Sequence, residues 1–154
     1  MYHHAPESYK CPICLGVEGI ENSDTMLRKS DLIYRDKNTT VFINSFFING
    51  NEGHLIVAPN KHFENIYDLD PETSHAVIDT AQKMAVVVRK AYSCDGITLM
   101  QNNEPASDQH AFHFHLHIFP RYDGDRFMME SVNKRATTPE ERKPYIDKLK
   151  KQLS

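Results

Sequence analysis

The chain has 154 residues, 40% of them hydrophobic and 25% charged, which suits one domain with its own core and leaves no case for disorder. Its net charge of -3, with Lys and Arg mixed among Asp and Glu, offers no broad basic face to polymeric nucleic acid or an anionic membrane. No apolar run approaches the ~18 residues of a membrane span, and the polar start MYHHAPESYK is no signal sequence, so a soluble cytoplasmic protein is expected.

Cys11-Pro-Ile-Cys14 comes first along the chain, while Cys94 stands alone, and an odd count of 3 cysteines is not a disulfide framework. DLIYRD and TTVFINSFF are β-branched and aromatic, and Asp36-Lys37-Asn38 between them predicts an antiparallel pair with a tight turn. INGNEG reads as a loop, and HLIVAP, ended by Pro59, as a third, mostly buried strand. A long helix follows, with Asp70 as cap, Pro71 at its first position and Val77, Ala81, Met84, Val88 and Ala91 at helical spacing. Its Val86-Val87-Val88 run is a poor helix former, so burial has to hold it. DGITLMQN reads as a strand after an Asp-Gly turn, and residues 112–119 as a fifth strand closed by Pro120. The tail 123–154 is charged and irregular up to Thr138-Pro139-Glu140-Glu141, a capping-box pattern opening a short terminal helix that Pro144 either kinks or starts. The outline is a single α+β domain over 1–154: a five-stranded antiparallel sheet, one long helix and a short C-terminal helix.

The segment HAFHFHLHIFPRY carries the chemistry. On a strand, His113, His115 and His117 share one face and Phe114, Leu116 and Ile118 the other, which belongs in the core. Three readings stand: outward surface histidines, a metal site with ligands from elsewhere, or a neutral imidazole acting as nucleophile at phosphorus. The C-x-x-C pair lacks the βαβ surroundings of a redox motif and reads as half of a tetrahedral zinc site; with no second C-x-x-C in the chain, its histidines are the candidates for the other two ligands.

His113-Phe-His115-Leu-His117-Ile-Phe119 resembles the H-φ-H-φ-H-φ-φ signature of the histidine triad family of nucleotide hydrolases and transferases, where φ is apolar. GHLIVAPNKHFENIYDL, QNNEPASDQ and FPRY resemble the segments that lead into and out of that signature, so the likeness covers roughly Tyr9 to Gly124. The resemblance implies the histidine triad fold, usually a homodimer through a shared sheet. It also implies that His115 attacks the α-phosphate of a nucleotide and forms a nucleotidyl-histidine that water resolves. A backbone carbonyl near His113 would orient His115, and His117 with His54 would stabilise phosphate charge. An N-terminal zinc knuckle over 9–15 is implied too, with Cys11, Cys14, His62 and His113 as ligands, or His54 in place of His62. That zinc is structural, because two in-line steps at phosphorus require no catalytic metal. In the substrate pocket the resemblance places Asn44 on the ribose, Phe42 and Ile43 near the base, and Asn102 and Gln109 at the phosphates.

Two departures matter. SDQHAFH puts Asp108 where the family carries glycine and His110 where it carries a hydroxyl, so His110 becomes a candidate for protonating the leaving group. The loop INGNEGH is about two residues longer than the family's usual approach to Gly-His and lacks its proline. The leading function is therefore a hydrolase or phosphoramidase that releases a nucleoside monophosphate from a dinucleoside polyphosphate, a nucleoside phosphoramidate or a similar conjugate. Nucleotidyl transfer, zinc-dependent hydrolysis and a nucleotide-binding or interaction module without turnover are the alternatives. His117 favours hydrolysis over the transferases, which carry glutamine there.

Overall fold

The structure is a computed structural model and describes residues 2–154. Its first element is helix α1 (Pro12–Glu18). Cys11 is the N-cap, its sulfur accepting the Cys14 N–H, Pro12 takes the first helical position, and Gly19 closes the helix in the left-handed conformation at φ 71°. The expected knuckle over 9–15 is thus a helix N-terminus, a regularity that seven residues with an internal glycine do not advertise.

Strands β1 (Leu32–Arg35) and β2 (Thr39–Ile43) form the expected hairpin. Asp36 makes the turn, its Oδ1 accepting the N–H groups of Asn38 and Thr39 at 2.9 and 2.7 Å. TTVFINSFF does not continue as one strand: it breaks at Asn44-Ser45, and Phe46–Phe47 forms the separate strand β3. Strand β4 (Leu55–Pro59) follows the INGNEG loop. Helix α2 (Pro71–Tyr92) starts where Asp70 Oδ1 accepts the Thr73 N–H at 2.8 Å. After it come β5 (Gly96–Met100), β6 (Leu116–Arg121), the short helix α3 (Phe127–Glu130), β7 (Arg135–Ala136) and helix α4 (Pro139–Leu153).

The main sheet is antiparallel throughout, ordered β1-β2-β4-β6-β5, and β3 pairs with β7 in a separate ribbon. The α+β fold class with its five-stranded antiparallel sheet is the one expected. Every residue of β2 and β4 is buried, because both sheet faces are covered. Val41, Ile43, Leu55, Val57, Leu116 and Ile118 face α2 and α4, meeting Val77, Ala81, Met84, Val88, Ile146 and Leu149. Phe42, Ile56 and Ala58 face the other way, onto α1 and Leu27. Val87 and Val88 are buried, as the helical reading of that run required, while Val86 is exposed.

The histidine strand is displaced from its expected span of 112–119. Pairing begins at Leu116 and passes through Pro120, opposite Ile97, to Arg121. On the β4 side it ends at Ile118, so Pro120 lies where β6 has no neighbour to receive an N–H on that side, a place that tolerates proline. Upstream, Phe114 N–H bonds the Phe63 carbonyl at 2.6 Å, beyond the end of β4. His113 and His115 therefore stand just before the ladder and only His117 within it.

The terminal helix has 15 residues and contains Pro144 in its interior. Its capping box forms as expected: Thr138 N–H donates to Glu141 Oε2 at 2.8 Å, and Glu141 N–H to Thr138 Oγ1 at 3.3 Å. Buried Arg142 holds the helix down, donating from Nε and Nη2 to the two carboxylate oxygens of Asp31 at 2.8 and 2.9 Å. Among the described residues no helix is long and apolar enough to cross a membrane.

Candidate functional site

The α1 side of the sheet carries two adjoining centres. In the first, four ligand atoms from Cys11, Cys14, His62 and His113 lie within 4.8 Å of one another. Cys14 Sγ is 3.3 Å from His62 Nδ1 and 3.4 Å from His113 Nδ1, and Cys11 Sγ is 3.4 Å from His113 Nδ1. Zn–S and Zn–N bonds of about 2.3 and 2.0 Å give tetrahedral edges of roughly 3.3–3.8 Å, so the three sulfur–nitrogen separations suit a tetrahedral ion. Hydrogen bonding from Cys14 is the largest cause that holds the Cys11 thiol below its usual range. His113 is fully buried and its Nε2 is 3.0 Å from the Pro59 carbonyl. A carbonyl only accepts, so Nε2 carries the hydrogen and Nδ1 presents its lone pair to the thiols.

The second centre is a cavity of about 640 Å³ lined by His54, His115 and His117 among others. His115 Nδ1 lies 2.7 Å from the backbone carbonyl of His113. The same logic puts the hydrogen on Nδ1 and leaves Nε2 of His115 as the basic nitrogen. His115 and His117 rings lie 4.8 Å apart, and His54 is 5.5 Å from His117 while stacking on Phe119 at 4.2 Å. The Nδ1 atoms of both His54 and His117 are buried without a partner among the described residues. Burial is the first cause that lowers the pKa of all three: His54 falls to about 3, His117 well below its ordinary value, and His115 below it as well. The cluster is accordingly neutral, as nucleophilic use of an imidazole requires.

Neighbouring loops set these positions. Gly53, at φ 80°, has no room for a side chain, since a Cβ there would lie 2.6 Å from Tyr145 and 2.7 Å from the Tyr92 hydroxyl. Asn51 Nδ2 donates to the Pro120 carbonyl at 2.8 Å and to Asp125 at 2.9 Å, fastening the loop before His54 to the end of β6. Arg121 in turn holds Asp125 through two bonds of 2.6 and 2.7 Å and keeps its carboxyl far below the ordinary range.

Asn44, Asn102 and His110 line the cavity with the three histidines, and Asn44 Oδ1 also accepts the Phe46 N–H at 2.8 Å. Phe42, Ile43 and Gln109, expected from the resemblance to meet substrate, do not line it. Phe42 and Ile43 are interior residues on opposite faces of β2, a strand buried on both sides. Gln109 is spent on backbone, its Nε2 donating to Glu64 O and its Oε1 accepting the Glu104 N–H, both at 2.6 Å. The apolar wall comes instead from Ile13, Leu27, Ile48 and Phe119. Ser131 and Lys134 also reach the cavity, from the charged segment after β6, where no periodicity or motif announces them. Asp108 takes the left-handed conformation, φ 70°, at the position where the resemblance calls for glycine, a conformation aspartate tolerates.

An uncharacterised HIT-like protein of Saccharolobus solfataricus is 27% identical over 138 residues, covering 90% of this chain and 93% of its own. A zinc-bound histidine triad family protein of Mycobacterium smegmatis superimposes with a TM-score of 0.74 at 26% identity, over 93% of this chain and 92% of its own. A Hit-like protein involved in cell-cycle regulation from Bartonella henselae gives a TM-score of 0.69 at 34% identity, over 80% of this chain and 86% of its own. The HIT-domain family model itself matches residues 27–124, spanning the loop before His54, the long helix and all three triad histidines, and the chain belongs to the histidine triad family.

Proposed function

We propose that the protein is a nucleotide hydrolase or phosphoramidase that cleaves at the α-phosphate of a nucleoside conjugate through a covalent nucleotidyl-histidine. The observation that carries this reading is the His113 carbonyl 2.7 Å from His115 Nδ1, which leaves Nε2 as a fixed nucleophile in a cavity shared with His117 and His54. In the first step the Nε2 lone pair forms a bond to phosphorus while the bond from phosphorus to the leaving-group oxygen or nitrogen breaks. His117 and His54 supply N–H dipoles to the phosphate oxygens, and His110 at the cavity rim gives a proton to the departing group. Water then attacks phosphorus, passing its proton to His110 as the P–N bond breaks, and a nucleoside monophosphate leaves with His115 and His110 restored.

Zinc held by Cys11, Cys14, His62 and His113 would tie α1 to the segments around β4 and β6 and serve as a structural cross-link. The zinc-bound state of the Mycobacterium smegmatis relative supports that assignment. The rest of the reading is a cytoplasmic homodimer pairing through the free β5 edge, where Leu99 is exposed.

Replacing His115 by Asn or Ala should lower turnover of adenylyl conjugates by at least about a thousandfold, since the nucleophile is gone, while nucleotide binding persists. Unchanged turnover in either variant would sink the mechanism.

A further inference from the structure

Lys134 belongs to no part of the family match, which ends at residue 124, yet it lines the same cavity as the triad. It is placed there by the ribbon that follows it: Arg135 pairs with Phe47 and Ala136 with Phe46, fixing the chain over the cavity mouth. Among the described residues it is the one Lys or Arg in the cavity lining. Its Nζ is 2.9 Å from Asp108 Oδ2, and Asp108 Oδ1 is 2.8 Å from His110 Nε2. The lysine's charge also reaches inward, adding to the effects that keep His54 and His117 neutral.

Charge is therefore divided within the site. The inner part offers a phosphate the imidazoles of His54, His115 and His117, whereas Lys134, the one Lys or Arg of the lining among the described residues, stands beside the Asp108–His110 pair. A conjugate whose leaving group carries phosphate brings negative charge to the mouth as well as to His115. Asp108 occupies that place in its stead, bridging Lys134 and His110 with two carboxylate oxygens. Its side chain is 62% exposed and that of Lys134 35%, and an ion pair so open to water exchanges readily for a better anion.

We infer that Lys134 is a specificity-determining residue that releases Asp108 to bind a phosphate beyond the α-position, so that the site prefers conjugates with a phosphorylated leaving group. This rests on the nucleotide reading above and adds the class of leaving group. The test measures the affinities of AMP and of the non-hydrolysable α,β-methylene-ADP at one ionic strength, by calorimetry, in the wild type, Lys134→Met, Lys134→Arg and Asp108→Asn. The wild type should favour the diphosphate. Lys134→Met should reduce the diphosphate-to-AMP affinity ratio by about tenfold or more, the size of one charge-assisted hydrogen bond, and Lys134→Arg should restore most of it. Asp108→Asn, which accepts the same left-handed backbone, should raise the ratio because the competing carboxylate is gone. If Lys134→Met binds AMP and keeps the wild-type ratio, or weakens both nucleotides equally, the inference is overturned and the hydrolase reading survives. If the wild type binds neither nucleotide, the hydrolase reading falls and takes the inference with it.

Discussion

Two backbone carbonyls give neighbouring histidines opposite tautomers. Pro59 O takes the Nε2 hydrogen of His113 and frees its Nδ1 for the thiols, while His113 O takes the Nδ1 hydrogen of His115 and frees its Nε2 for the cavity. Neutrality of the deeper imidazoles has a consequence for stability. His54 titrates near 3 in the fold because burial opposes its charge, against about 6.5 in an unfolded chain, and His117 is depressed in the same sense. Between those values the unfolded state binds more protons, so stability is complete above about pH 6.5 and declines as pH falls below it. His54 contributes about 1.4 kcal/mol per pH unit within that window, and His117 acts in the same direction. Urea midpoints at pH 8 and pH 5 should therefore differ less in His54→Gln, which takes up no proton in this range, than in the wild type. The alternation of His113, His115 and His117 with buried Phe114, Leu116 and Ile118 was legible in the sequence, and so were the four candidate metal ligands. That Phe42, Ile43 and Gln109 lie outside the cavity lining was not legible, because a residue's neighbours along the chain do not say that a strand is buried on both faces or that an amide is spent on backbone.

Among the elements, the C-terminal segment contributes most beyond expectation. A capping box located the start of α4, and of the two places expected for Pro144 the interior one is found, but nothing local told that Arg142 would be buried and bidentate on Asp31. Arg142 Nη1 also donates to the Thr137 carbonyl at 2.6 Å, and Thr137 bonds the Ser45 carbonyl through both its N–H and its hydroxyl at 2.9 Å. One guanidinium thus links α4, the turn before β1 and the ribbon over the cavity. Arg142→Ala should destabilise the fold by about 3–5 kcal/mol, since it leaves the fully buried Asp31 without its partner. Chemical denaturation measures that loss, and a change within about 0.5 kcal/mol, the range of an ordinary surface substitution, would show that the pair is dispensable. The long helix was read correctly because its cap, its first-turn proline and its apolar spacing agree. The histidine strand was read with the wrong ends, because pairing depends on where β4 and β5 stop and not on the alternation itself.

At the scale of the whole molecule, the candidate metal centre and the cavity are joined through a single residue: His113 gives its ring to one and its carbonyl to the other. If zinc occupies the first centre, stripping it with a strong chelator should lower the melting temperature and the turnover together, and added zinc should restore both. Turnover lost while the melting temperature stays constant would place the metal in the chemistry instead. The central claim concerns His115 itself. The most direct measurement mixes the protein with an adenylyl conjugate, quenches without acid, and identifies the modified residue by mass spectrometry. One nucleotidyl group on His115, absent from His115→Asn, is the predicted result; sustained turnover with no adduct on His115 would contradict it.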